Sequence, residues 1–193
     1  MKREVYSEEH EDYRAMIRAF VEAEVSPVYD EWFEKGLVPR EFYYKLGELG
    51  IFGAEIPEEY GGEGLTSYKF QAILTEELAR AAVSFGGSSV HVGLCLPYIR
   101  DIGNEEQKKR WFPGMLSGEI MFAIAMTEPG TGSDLAGMRT TAKLSEDGTH
   151  YVLNGSKTFI TNGILSDLVI VVAQTDPDKG ALGFSLLVVE RGM

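Results

Sequence analysis

The sequence Met126–Asp134 reads M-T-E-P-G-T-G-S-D and directly follows a short apolar run, Ile120–Ala125. An apolar run that stops at a glycine-rich, hydroxyl-rich loop is typical of a β-strand that delivers backbone N–H groups to a ligand beyond the sheet. Gly130 and Gly132 lack a Cβ, so the backbone there can closely approach a flat or anionic group. Taken alone, the turn leaves two interpretations open, a cofactor site and an ordinary loop.

A second stretch, Asn154–Gly163, reads N-G-S-K-T-F-I-T-N-G and carries an Asn-Gly turn at each end. In this order, the two stretches resemble the acyl-CoA dehydrogenase family of flavoenzymes, in which a T-E-P-G-x-G-S-D loop and a W/F-I-T-N-G segment face the flavin. The segment P-E-E-Y-G-G at 57–62 is also similar to one at this place in the family. The resemblance extends from the first predicted helix to Met193.

The resemblance implies FAD as the cofactor and assigns a set of residues to it. Thr127 is expected to hydrogen-bond the pyrimidine end of the isoalloxazine, and the Thr161 hydroxyl to lie near flavin N5. Ser133 is expected to reach both the FAD and the pantetheine arm of the substrate, although ordinary turn roles for Thr161 and Ser133 stay open. Phe159 stands where many members carry tryptophan, so we expect a smaller stacking area. The complete set of expected cofactor contacts is Ile124, Ala125, Met126, Thr127, Gly132, Ser133, Phe159, Ile160 and Thr161.

The implied reaction is the α,β-dehydrogenation of an acyl-CoA thioester, in which a base removes the α-proton and the β-hydrogen leaves as hydride to flavin N5. Electrons are expected to pass to an electron-transferring flavoprotein, and the intact enzyme is expected to be a homo-oligomer. In the family the catalytic glutamate belongs to a C-terminal helical domain, and no residue of this chain corresponds to it. We therefore predict no catalytic residue here and an inactive fragment. Glu128, although it lies beside the expected cofactor, is interpreted as structural.

Two alternatives stay open at this stage. Acyl-CoA oxidases, nitroalkane oxidases and some two-component flavin monooxygenases have the same architecture and differ in the rapid reaction of the reduced flavin with oxygen. The second alternative is that the chain is a non-catalytic half of a split enzyme. The length of the acyl chain is not set by the sequence.

The composition indicates a soluble, cytoplasmic protein. A net charge of −12 and an isoelectric point near 4.7 argue against nucleic acid as a partner. The longest apolar runs, Ile120–Met126 and Leu168–Ala173, are too short to cross a membrane, and the residues after Met1–Arg3 form no signal-peptide core. The single cysteine, Cys95, fits a reducing compartment, and no metal site is predicted.

Hydrophobic periodicity of 3.6 residues predicts helices over the first part of the chain. His91 lies within the fourth helix and is interpreted as packed and hydrogen-bonded rather than catalytic. The fifth helix is predicted to be interrupted near Pro113. The predicted helices begin after Ser7, at Pro39, near Thr66 or Ser67, near Ser84 (ending at Leu96) and at Asn104, where Gln107 completes a capping box.

The second part of the chain has the pattern of short strands bounded by turns, including a hairpin at Asp147-Gly148. We therefore predict an α+β multi-domain fold. An N-terminal all-α domain (1–118) precedes a small β-barrel or sandwich domain (119–193), and the family's C-terminal four-helix domain is lacking. The predicted strands follow Ile120 and cover 137–144, 151–153, 157–161, 168–174 and 184–189.

Overall fold

A computed structural model describes residues 5–65 and 67–193. Thr66 and Met1–Arg3, on which two of the sequence predictions fall, lie outside these residues. The chain forms two compact units: one extends to Gly86 and includes Leu116–Glu119, and the other comprises Gly87–Met115 and Ile120–Met193. The domain boundary at 118/119 stays a prediction.

The first unit is helical. Helix α1 (Glu8–Phe20) follows Ser7, whose N–H donates to His10 Nδ1 at 3.2 Å, so the predicted start is confirmed. It continues into a π-helical turn and buries Ile17, Val21 and Val25 along one face, as the periodicity predicts. The other helices of this unit are α2 (Tyr29–Lys35), α3 (Arg40–Glu48) and α4 (Lys69–Ala81).

Aromatic rings fill the interior of the first unit. Phe42 lies at its centre, with ring centroids 4.8 Å from Trp32 and 5.2 Å from Phe85. Such tilted and edge-to-face pairs add to the free energy gained by burying the rings. The predicted helix does not begin at Ser84, because the chain turns at Gly86, whose φ of +59° is incompatible with a right-handed helix.

A charged cluster joins α1 to α4 in the first unit. The Glu77 side chain is 2% exposed and accepts hydrogen bonds from Arg18 Nε (2.8 Å), Arg80 Nε (2.9 Å) and Arg14 Nη1 (3.1 Å). The bond from Arg18, helped by those from Arg80 and Arg14, outweighs burial and lowers the pKa of Glu77 to about 2. The sequence analysis did not identify this cluster, which we call the Glu77 cluster.

The helices of the second unit correct two predictions. Helix α5 (Ser88–Val90), a π-helical turn (His91–Cys95) and α6 (Leu96–Ile102) follow one another without a break, so this helical segment begins later and ends later than predicted. Cys95 is fully buried, and burial raises the pKa of its thiol to about 12.

Helix α7 (Glu105–Ser117) begins at the predicted capping box. The Asn104 N–H donates to Gln107 Oε1 and the Gln107 N–H to Asn104 Oδ1, both at 2.9 Å. The predicted interruption at Pro113 is wrong, because the helix runs through the proline. The loss of one backbone hydrogen bond is offset by the burial of neighbouring side chains, including Phe112 and Met115.

The strands of the second unit form one mixed sheet of five strands. The long, buried β4 pairs with β5 in antiparallel fashion along its length, and with β1 and the start of β2 in parallel fashion; β3 pairs with β2 across the predicted hairpin. The α+β class, with helices before strands, is confirmed. The strands are β1 (Phe122–Ala125), β2 (Thr141–Leu144), β3 (Tyr151–Asn154), β4 (Leu168–Gln174) and β5 (Phe184–Glu190).

One predicted strand is absent. The backbone of residues 157–161 is irregular, because Phe159 adopts a φ of +55°, outside the extended region that a strand requires. Across residues 5–65 and 67–193, no helix has both the length and the apolar character needed to cross a membrane.

Candidate functional site

A cavity of about 590 Å³ lies in the second unit, against the sheet. Its apolar wall includes Ala125 from β1, Val169 and Val171 from β4, and Val189 from β5. These side chains come from neighbouring strands, since β4 pairs with both β1 and β5. An apolar wall of this kind offers a surface to the face of a flat ligand.

The second sequence stretch also lines the cavity. Its contribution comes from Gly155, Lys157, Thr158, Phe159, Ile160 and Gly163. The Phe159 side chain is 92% exposed although it lines the cavity, and its backbone is left-handed. That conformation costs a residue with a Cβ about 1 kcal/mol, and such strained positions cluster at ligand sites.

The structure brings some of the expected cofactor contacts together and not others. Ala125, Phe159 and Ile160 line the cavity. The other expected contacts are not among the lining residues: Ile124, Met126 and Thr127 are half-buried at or just after the end of β1, while Gly132, Ser133 and Thr161 are exposed. These residue assignments remain predictions.

Hydrogen bonds tie the two motif stretches to each other. The Thr158 N–H donates to the Thr127 carbonyl at 3.0 Å, and Lys157 Nζ donates to the Met126 carbonyl at 2.9 Å. The chain that leaves β1 therefore runs beside the segment that lines the cavity. The sequence analysis predicted that the stretches act together but not which side chain joins them.

Glu128 is held by hydrogen bonds from three directions. Its carboxylate is 8% exposed and accepts from the Arg139 N–H (2.7 Å), the Thr140 N–H (2.8 Å) and Lys157 Nζ (3.0 Å). Burial alone would raise its pKa, but the hydrogen bonds from Thr140, Arg139 and Lys157 lower the pKa of Glu128 to about 2. A carboxylate that is ionised and saturated with donors is a poor proton acceptor, which agrees with its structural interpretation.

The tip of the first stretch is open to solvent. Thr131 closes the turn by exchanging backbone hydrogen bonds with Glu128 at 2.9 and 3.1 Å. A Cβ added to Gly130 or Gly132 would meet no protein atom within 4 Å. Packing within the protein therefore does not require glycine at these two positions, and the backbone is accessible to an approaching group.

His91 and Asn162 hold the first residue of β1. The Phe122 N–H donates to His91 Nδ1 at 3.0 Å, and Asn162 Nδ2 donates to the Phe122 carbonyl at 3.1 Å. The interpretation of His91 as a packed, hydrogen-bonded residue agrees with its complete burial. Asn162 belongs to the second stretch and has a φ of +67°; a Cβ at Gly87 would overlap its side chain. Its role was not identified from the sequence, where it could be seen only as part of an Asn-Gly turn.

Comparison with known proteins gives a consistent result for both parts of the chain. The sequence profile "Acyl-CoA dehydrogenase, N-terminal domain" matches residues 7–119, and the profile "Acyl-CoA dehydrogenase, middle domain" matches residues 123–193. The mitochondrial long-chain specific acyl-CoA dehydrogenase of Sus scrofa is 47% identical over 193 residues, which are 99% of this chain and 44% of that protein. The chain thus spans about half the length of the curated relatives it matches.

Solved structures match over the same extent. The crystal structure of acyl-CoA dehydrogenase from Geobacillus kaustophilus superposes with a TM-score of 0.92 at 44% identity, over 99% of this chain and 50% of that one. Acyl-CoA dehydrogenase from Bacillus anthracis, solved in complex with FAD, has a TM-score of 0.81 at 38% identity, over 100% of this chain and 32% of that one.

Proposed function

The chain belongs to the acyl-CoA dehydrogenase family, and from that membership we propose that it is the FAD- and acyl-CoA-binding part of an enzyme that dehydrogenates an acyl-CoA thioester. The observation that carries the proposal is the arrangement of the cavity. Two motif stretches, separated by some twenty residues in sequence (residue 134 to residue 154), are joined by hydrogen bonds, and one of them lines the cavity.

The residues around the cavity fit a flavin. The apolar wall of Ala125, Val169 and Val171 suits the face of a flat, largely apolar ring system. Phe159 presents an exposed aromatic ring beside that wall, available for stacking. The open space at Gly132 permits the close approach of a polar or anionic group of the cofactor. When bound, FAD supplies the acceptor for the hydride that leaves the β-carbon.

The part of this chain in the reaction is to bind and orient. We propose that the hydroxyl or amide of Thr127 and the hydroxyl of Thr161 fix the ring of the cofactor, and that Ser133 contacts both the cofactor and the substrate. Residues that restrict how the reactants can move contribute by lowering the entropic cost of reaching the transition state.

We propose that the group removing the α-proton lies outside these 193 residues. Among the residues that the structure describes, the lining of the cavity includes no carboxylate, and Glu128, the buried carboxylate bonded to the lining residue Lys157, is held in its ionised form by three donors. An electron-transferring flavoprotein is the proposed electron acceptor, and the intact enzyme is proposed to be a homo-oligomer.

A visible absorption spectrum tests the binding role. The purified chain is soaked with FAD, desalted and measured before and after the addition of an acyl-CoA. A retained flavin band that shifts with acyl-CoA but does not bleach supports the proposal. Bleaching would contradict the assignment of the base to a region outside this chain, since substrate oxidation would then occur without it.

We expect the retained fraction of FAD to be small and the chain to self-associate. Large apolar side chains of the second unit are exposed, including Phe159 in the lining of the cavity, Ile164 and Tyr151, and exposed apolar surface of this kind promotes association. Gel filtration after FAD loading measures both effects. A monodisperse monomer with stoichiometric FAD would contradict this expectation.

A further inference from the structure

We propose that Lys157 is the positioning residue of the cavity, fixing the first motif stretch against the second; the inference rests on the proposed function, because it concerns the site assigned there to FAD. Lys157 lines the cavity, and its side chain donates hydrogen bonds both to the backbone of the first stretch, at the Met126 carbonyl, and to the Glu128 side chain.

The contacts of the ammonium group define this role. Nζ donates to the Met126 carbonyl at 2.9 Å and to Glu128 Oε1 at 3.0 Å, and lies 3.6 Å from Met138 Sδ. The first two acceptors flank Thr127, whose carbonyl accepts from the neighbouring Thr158 N–H. Three successive residues of the first stretch are thus held by two successive residues of the second.

Glu128 extends the connection to a third segment. Its other hydrogen bonds come from the N–H groups of Arg139 and Thr140, which lead into β2. The Lys157 and Glu128 side chains are 11% and 7% exposed, so little water is available to replace any of these bonds. Removing the lysine leaves a buried carboxylate with two amide donors and no balancing charge, which is much less favourable than the intact pair.

The charge of Lys157 has a local electrostatic consequence. With Glu128 ionised, the pair adds no net charge to this side of the cavity. A variant without the ammonium group places an unbalanced negative charge beside the ligand. A ligand that gains negative charge, as a flavin does on reduction, is then disfavoured, whereas loss of the carboxylate has the opposite effect.

Hydrogen exchange of the 193-residue chain, followed by mass spectrometry, tests the positioning role without any ligand. Lys157→Met removes the charge and both hydrogen bonds to the first stretch, Lys157→Gln keeps a donor without the charge, and Lys157→Arg keeps the charge. Lys143→Met, at an exposed position of β2, is the matched control. We expect Lys157→Met to speed exchange at Thr158 and at residues 139–140, while amides of β4 keep their protection.

Two exchange results would overturn the proposal. In the first, Lys157→Met and Lys143→Met give the same pattern. In the second, exchange rises evenly over the whole unit, which is the behaviour of a lysine that only stabilises the fold. Should Lys157→Met not fold, Lys157→Gln provides the same comparison, because it removes the charge but retains a hydrogen-bond donor for the Met126 carbonyl.

FAD titration, followed by flavin fluorescence, tests the consequence for binding. We expect the dissociation constant to rise about tenfold in Lys157→Met, to recover in Lys157→Arg and to be unchanged in Lys143→Met. Among variants that retain FAD, the reduction potential should fall with Lys157→Gln and rise with Glu128→Gln. Shifts in the same direction would overturn the electrostatic part of the proposal.

The hydrogen-exchange test and the FAD titration can fail independently, so failure of the positioning role is distinguishable from failure of the proposed function. Localised changes in exchange with no FAD bound by any form of the chain would contradict the proposed function and leave the positioning role supported. FAD binding that is indifferent to every Lys157 substitution would support the proposed function and contradict the positioning role.

Discussion

Glu77 in the helical unit and Glu128 in the sheet unit are both buried carboxylates with a pKa of about 2, yet their partners differ. Glu77 is held by arginines whose side chains reach the surface; those of Arg18 and Arg80 are 45% and 43% exposed. Glu128 is held by two backbone amides and a lysine that lines the cavity and whose side chain is only 11% exposed. A strongly lowered pKa therefore does not identify a functional site; the surroundings of the partners do.

Removal of the Glu128 carboxylate is expected to have the largest effect on stability. Glu128→Ala leaves two N–H groups and a largely buried ammonium group without their acceptor, which should lower the free energy of unfolding by about 3 kcal/mol and weaken FAD binding. Urea denaturation measures the first effect, and FAD titration followed by flavin fluorescence measures the second.

The matched control is Glu146→Ala, an exposed glutamate in the β2–β3 hairpin, which should change stability by less than about 0.5 kcal/mol. In the intact enzyme, a Glu128 variant that binds FAD and substrate normally but fails only in proton abstraction would refute the structural interpretation of Glu128.

Glu77→Gln should have a smaller effect, because one acceptor oxygen remains and two of the arginines that lose the carboxylate charge can turn toward water. We expect a loss of about 2 kcal/mol, measured by urea denaturation, with Glu63→Gln in an exposed loop as the control. FAD affinity should not change. A parallel loss of FAD affinity would break the comparison, because the cluster would then serve the site as well as the fold.

The dependence of stability on pH should report both carboxylates. Their pKa values in the folded protein lie below the reference value of 4.5, so their contribution is complete above that value and is lost as pH falls from about 5 toward 2. The free energy of unfolding should therefore decrease over this range, and less steeply in Glu77→Gln and in Glu128→Gln than in the parent chain. Urea midpoints at several pH values measure the slopes; equal slopes in all three proteins would contradict the lowered pKa values.

Substitution of Phe159 should give the smallest change in stability, and we expect stability to increase while FAD affinity decreases. Phe159→Gly relieves the left-handed backbone conformation and removes an exposed ring, so we expect stability to rise by about 0.5 kcal/mol while FAD affinity falls. Thermal unfolding and FAD titration measure the two effects.

Leu182→Gly is the control for that experiment, because Leu182 is similarly exposed and has no positive φ. It should lower stability slightly and leave binding unchanged. A Phe159→Gly chain that binds FAD as tightly as the parent would remove Phe159 from the proposed site.

Local patterns in the sequence predicted those elements whose cause is local. The Asn104–Gln107 capping box and the start of α1 after Ser7 depend on hydrogen bonds within four residues, and β4 is recognisable from its continuous apolar run. The change from helical to strand periodicity predicted the α+β class. The resemblance to a family paired the two motif stretches, and the second of them lines the cavity.

The errors arose where distant contacts decide the outcome. Pro113 lies in a helix because its neighbours are buried, and residues 157–161 leave the extended conformation because Thr158 and Lys157 are bonded to the first motif stretch. The Glu77 cluster joins residues that are 59 and 63 positions apart in the sequence, and periodicity within a helix does not reveal such contacts.

Alkylation of the buried Cys95 thiol can report transient local opening of the chain. Only one cysteine is present, and in the native state its burial and high pKa deny an alkylating reagent both access and a thiolate. Each labelling event under native conditions must then be preceded by an excursion that exposes the π-helical turn between α5 and α6. The rate of alkylation, read as a mass increase, consequently counts those excursions for one segment of the sheet-containing unit, without any engineered probe.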